Sequence, residues 1–119
     1  MDNKEFAKQL EDRALKFGVV ILKFSAQLPV SLEANVVRNQ LSKSGTSVGA
    51  NYHEANRARS RADFANKVKI SESEASETVY WLKVVREMNW ISRSELEPIL
   101  KEGNELLAIL SSIGKNLKL

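Results

Sequence analysis

An all-α, antiparallel up-down-up-down four-helix bundle, one domain over residues 1–119, is the fold this sequence predicts. Three observations predict it. Apolar residues recur at intervals of three and four along four separate segments, the period of one buried helix face. Cap and stop residues stand at the joints between those segments. No strand-like alternation, internal repeat or low-complexity tract interrupts them. Long amphipathic helices on short connections favour antiparallel neighbours. The length of 119 residues is close to the commonest domain size, and 43% hydrophobic with 28% charged residues is the balance of a chain that folds.

The first helix spans about 4–28. Its stripe is Phe6, Leu10, Ala14, Phe17, Ile21, Phe24 and Leu28, and Pro29 stops it by pushing the preceding residue out of the α region. The second spans about 32–55, capped by Ser31 with Glu33 in the first turn, where the dipole favours an acid. Val37, Leu41, Ser44, Val48 and Asn51 or Tyr52 run down one side. Gly45 and Gly49 weaken this helix by roughly 1 kcal/mol each. Their use must lie in close approach of another backbone. Asn56 tolerates the left-handed conformation and marks the end.

The third helix spans about 61–88, begins at the cap Ser60 with Asp63 and ends at Asn89. Phe64, Val68, Ser71, Ala75, Thr78, Leu82 and Val85 form its inner face. At about 1.5 Å per residue it is on the order of 40 Å long. The fourth spans about 94–117, with Ser92 and Glu95, or Ser94 and Glu97, as a capping box and Pro98 in or just past the first turn. Its stripe is Leu96, Leu100, Gly103, Leu107, Leu110, Ile113 or Gly114, and Leu117.

Composition excludes several chemistries. With no cysteine there is no disulfide, thiolate nucleophile or sulfur-ligated metal. The charged N-terminus does not read as a signal peptide, and no apolar run nears the roughly 18 residues that span a bilayer. The expected location is the cytoplasm. No Gly-rich phosphate loop, GxSxG or HExxH is present. His53 is the single histidine and lacks a nucleophile or companion ligands; a surface role on the face it shares with Arg57 suits it better. Glu74 and Glu77 share a helical face, but the Glu-x-x-His repeat of a di-iron bundle is missing. Ion pairing with Arg38 or Arg57, or with a neighbouring subunit, is the expectation for them. No enzyme, cofactor or metal is therefore expected.

A net charge of +3 argues for little by itself. Its distribution says more. Residues 57–69 hold Arg57, Arg59, Arg61, Lys67 and Lys69 against Asp63 alone, and Glu72, Glu74 and Glu77 follow at once. Arginines four apart on a helix repel. Like charge concentrated against folding points to an anionic partner, most simply phosphate. These five are the candidate nucleic-acid contacts, with Arg38 and Lys43 as weaker candidates. No base-reading motif accompanies them, so contact would be with backbone. The competing reading is a protein-interaction scaffold in which Arg57, Arg59 and Arg61 pair with Glu54, Glu72, Glu74 or Glu77 of the assembly. Surplus apolar residues off the core stripes, such as Val79, Trp81 and Ile109, predict a homo-oligomer. Trp90 is expected in the core.

Two segments add a resemblance: Lys43-Ser44-Gly45-Thr46-Ser47-Val48-Gly49-Ala50-Asn51-Tyr52-His53-Glu54-Ala55 and Glu74-Ala75-Ser76-Glu77-Thr78-Val79-Tyr80-Trp81-Leu82. They resemble the bacterial four-helix-bundle proteins encoded by intervening sequences within 23S rRNA genes, over about Leu28 to Leu117. Lys43 stands where that family usually has arginine, Tyr52-His53 where it has Ile-Ala, and Ala55 and Asn56 where a glycine turn is usual. The family's biochemical activity is unknown. A similar fold serves as the accessory protein of diversity-generating retroelements, a basic homopentamer acting with a reverse transcriptase and nucleic acid. The resemblance thus implies a pentamer as the assembly, and RNA or DNA and a reverse transcriptase as partners.

Overall fold

A computed structural model of the chain describes residues 2–117. It carries four helices, α1 (Asn3–Ser25), α2 (Leu32–Ala55), α3 (Arg61–Met88) and α4 (Arg93–Asn116), with no strand among the described residues. Local chemistry fixes most boundaries. Asp2, Ser31 and Ser60 hold extended backbone, and each side chain accepts a hydrogen bond from the N–H three residues on. Each thereby satisfies a donor that a first helical turn leaves without a partner. Asn89 closes α3 in the left-handed conformation, at φ 57°.

Three joints differ from the sequence expectation. α1 stops at Ser25 rather than near Leu28, and its end tightens into bonds from Gln27 N to Phe24 O and Leu28 N to Ser25 O. Arg38 of α2 then donates to the carbonyls of Ser25, Leu28 and Pro29 at 3.2, 2.5 and 2.9 Å. Asn56 is right-handed, at φ −67°, not left-handed. Its amide donates to the Ala7 carbonyl at 3.3 Å and to Glu11 at 3.0 Å, tertiary bonds that outweigh a local preference. Ser92 precedes α4 without a capping bond, its hydroxyl lying 3.3 Å from that of Ser94.

Neighbouring helices run antiparallel. The end of α2 meets the start of α1 through Asn56, and the start of α2 meets the end of α1 through Arg38. Between α2 and α3, Ser71 Oγ donates to the Val48 carbonyl at 2.7 Å, and the hydroxyls of Thr78 and Ser44 are hydrogen-bonded at 2.9 Å. All three side chains are buried, so these bonds are what makes a polar seam tolerable in the core. The core around the seam holds Phe17, Ile21, Phe24, Leu41, Val48, Val68, Leu82 and Leu110.

Helix spacing is uneven, for reasons visible in single residues. A Cβ built on Gly45 would lie 2.5 Å from Ile21 Cγ2, and one on Gly49 would lie 3.1 Å from the Ala14 backbone. Two glycines thus bring α1 and α2 together. Between α1 and α4 the backbones approach least of the adjacent pairs. Phe17 fills that gap, reaching within 3.4 Å of where a Gly103 Cβ would be. Arg13 spans it at the surface, donating to Glu102 at 2.7 and 2.6 Å and to Glu105 at 3.0 Å. Of the adjacent leucines on α4, Leu106 is buried, while Leu107 is only half-buried against the core. Trp90 is likewise half-buried against it.

Candidate nucleic-acid interface

The five basic residues do not share one surface. Arg57 is already engaged within its own chain. Its guanidinium donates to Glu11 of α1 at 2.9 and 3.3 Å and to the His53 carbonyl at 2.7 Å. The Arg57 hydrogen bond first, and that from Asn56 second, hold the Glu11 carboxyl down at about 2. His53 Nδ1 lies 3.3 Å from the same carboxylate. A half-buried acid from α1 therefore organises this corner. Lys67 points to the α2 side, with Nζ 3.9 Å from Glu54. Lys69, two residues on and so about 200° around the helix, borders α4 beside Glu72 and Lys115.

Arg59 and Arg61 are left at the α2–α3 turn. Both are exposed, and among the described residues no acid lies within ion-pair distance of Arg59, Arg61 or Lys69. Lys43 is exposed on the outer side of α2. Arg38 is not a phosphate candidate: three carbonyls of the α1–α2 connection and Asn35 occupy its guanidinium. Neither Glu74 nor Glu77 meets Arg38 or Arg57 within the chain, because those two arginines are bound elsewhere. Glu77 instead accepts from Trp81 Nε1 at 3.4 Å. Among the described residues no three His, Asp or Glu side chains converge as a metal site requires, and no helix is long and apolar enough to cross a membrane.

The surplus apolar surface is not where sequence placed it. Val79 is buried and Trp81 and Ile109 are half-buried against the core. Gly103 supplies the reason, since a Cβ there would come within 3.3 Å of Val79 Cγ2. Instead Leu15, Val19 and Leu22 of α1 stand 63%, 44% and 49% exposed, and Val30, Leu32 and Val36 stand 94%, 76% and 53% exposed. Leu15, Val19 and Leu22 form a second helical stripe beside the core stripe, a signal the sequence carried. Glu11 left no such signal, since it lies 46 residues from the arginine it pairs.

Between α1 and α2 this apolar surface sinks into an open groove of about 300 Å³, bordered by Leu15, Val19, Leu22, Thr46, Ala50 and His53.

A sequence model described as 23S rRNA-intervening sequence protein matches residues 8–112. Among solved structures, the chain is similar to a protein with unknown function from the S23 ribosomal protein family of Bacteroides thetaiotaomicron VPI-5482. The two are 40% identical, with a TM-score of 0.82 over 89% of this chain and 98% of that one. No curated protein matches the chain.

Proposed function

The chain belongs to the 23S rRNA-intervening sequence protein family, and on that premise we propose that it is a non-enzymatic, homo-oligomeric cytoplasmic protein that binds nucleic acid through phosphate contacts. The observation that carries this reading is the α2–α3 turn, where Arg59 and Arg61 are exposed without an acidic partner among the described residues. Uncompensated guanidinium groups suit phosphate oxygens, which they can bind in bidentate fashion. Lys69, about two turns further along α3, adds a third cation without an acidic partner among the described residues, while Arg57 and Lys67 contribute less because Glu11 and Glu54 face them. Repeating such a corner around a symmetric assembly would extend the basic surface. The resemblance to the retroelement accessory protein supports five copies and a reverse transcriptase as partner; a light-scattering mass of five 13.4 kDa protomers tests the count.

Gel-shift titration with RNA and DNA across a salt series tests the binding. Each phosphate contact contributes about 0.7–0.9 to the slope of log affinity on log salt. The Arg59/Arg61/Lys69→Ala variant should flatten that slope by about 2–3 per protomer engaged, and Arg57→Ala should change it less. Equal retention by wild type and triple variant would refute the interface. No retention at low salt would refute nucleic-acid binding altogether. A second reading, a protein-interaction scaffold with no nucleic-acid role, is favoured by the internal neutralisation of Arg57 by Glu11, and that last outcome would select it.

A further inference from the structure

Of the large hydrophobic side chains that stay exposed, most lie on two surfaces. One is the α1–α2 face with its groove. The other is the outer side of α3, where Tyr80 and Met88 are exposed and Val84 between them is half-buried. Residues 80, 84 and 88 stand at i, i+4 and i+8, a single ridge along the helix. Tyr80 is steadied by Trp81, whose ring meets it edge-on at 4.9 Å. Both surfaces belong to every copy of the chain. We propose that the α1–α2 groove of one protomer receives the Tyr80–Val84–Met88 ridge of a second copy. This rests on the homo-oligomer part of the proposed function and assigns the two faces that would build it.

Charge complementarity selects this occupant. The exposed charges around the apolar α1–α2 face are mainly basic, Lys8, Lys23 and Lys43, with Asp12 opposing them, and Glu11, the carboxylate that lines the groove itself, is held by Arg57. Glu54 at the same border is faced by Lys67. Around the ridge the charges are mainly acidic, Glu74, Glu77 and Glu87 against Lys83. A basic rim meeting an acidic one sets register and suppresses the wrong pairing, in which groove would face groove. The groove also lacks the buried polar groups that orient a small molecule, and its volume of about 300 Å³ is at the lower limit for such sites. The wider gap between α1 and α4 is a poorer candidate because Arg13 already spans it to Glu102.

α1 and α3 sit diagonally across the bundle, each packed on α2 and α4 and not on one another. Groove and ridge therefore face different ways. A contact between them is head-to-tail, and repeating it in one direction closes a ring when the rotation allows.

Two charge insertions at exposed positions test this, Val19→Glu in the groove and Tyr80→Glu on the ridge. Each should retain its helical circular dichroism and raise the midpoint concentration of assembly by at least about 30-fold, the effect of losing one interface hot spot. Mixed at equal amounts, the Val19→Glu variant offers an intact ridge and the Tyr80→Glu variant an intact groove. Light scattering should then report a dimer and nothing larger. A mixture that stays monomeric overturns the pairing of these faces, as does assembly unaffected by either change. Groove-to-groove contact, recognised by Tyr80→Glu keeping the wild-type mass while Val19→Glu falls apart, overturns it too. A monomeric wild type would instead defeat the homo-oligomer reading itself.

Discussion

Gly45 and Gly18 lie on the same α1–α2 interface, and alanine at each should move stability in opposite directions. In a free helix both substitutions would help, by about 1 kcal/mol, because glycine has the greater backbone entropy to lose. At Gly18 a new Cβ meets the Gly45 carbonyl and Thr46 Cα at 3.5 Å and Thr46 Cγ2 at 3.7 Å, ordinary contacts. That gain should be realised, as roughly 0.5–1 kcal/mol. At Gly45 the new Cβ lies 2.5 Å from Ile21 Cγ2 and 2.9 Å from Ile21 Cβ. Ile21 is fully buried, and its Cβ cannot rotate away. Restoring a normal carbon–carbon separation of about 3.5–4.0 Å needs a shift of about 1 Å between helices. A Cβ at the neighbouring Gly49 would lie 3.1 Å from the Ala14 backbone, so the close approach that such a shift would loosen runs over a full turn of α2. Overpacking of this kind costs about 1–3 kcal/mol, more than the propensity gain, so Gly45→Ala should come out about 1–2 kcal/mol less stable than wild type. Urea unfolding followed by helical circular dichroism measures both, at one protein concentration because assembly would make stability depend on it. A Gly45→Ala variant as stable as Gly18→Ala would refute the reasoning.

Two further outcomes follow from residues that tie α1 to α2. Arg38→Ala should destabilise by about 1–3 kcal/mol in the same assay, since it leaves the carbonyls of Ser25, Leu28 and Pro29 without their charged donor; Arg38→Lys should recover only part, lacking the planar fork. The Glu11 carboxyl, held by Arg57 and Asn56 at about 2 against an ordinary 4.5, contributes stability that is present above about pH 4.5 and lost as pH falls toward 2. Unfolding midpoints across that window should therefore drop more steeply for wild type than for Glu11→Gln, and parallel curves would show that the corner contributes nothing.

The fold was legible because its signals are local. Stripes at helical spacing and the serines at positions 31 and 60 placed all four helices, with α2 and α3 beginning and ending where expected. Errors fell where one segment answers to another. Leu106 and Leu107 are adjacent apolar residues, and periodicity cannot choose between neighbours; packing buries Leu106. Val79 looked like surplus surface because the sequence shows a side chain and not the missing one opposite, at Gly103. Arg38 and Arg57 looked free because the carbonyls and the carboxylate that hold them lie on α1 and the connection after it, 9 to 46 residues away. The basic segment was visible as composition, but its division into paired and unpaired members depends on which helix lies beside it.

The same separation explains why the outer surface of α1 was overlooked. Leu15, Val19 and Leu22 repeat as regularly as the core stripe, yet a helix needs only one buried face, and the regular core stripe supplied it. Small residues of α2 then decide what becomes of the second stripe. With α1 settled close on α2, the small side chains of Ala50 and Thr46 at the groove's edge leave Leu15 and Leu22 uncovered. Gly45 and Gly49 close the inside of that helix pair, and Thr46 and Ala50 leave its outside apolar. A bulkier side chain at Ala50 would cover the stripe without disturbing the Gly45 contact beneath, because Ala50 is exposed at the groove's edge while Gly45 meets Ile21 in the core.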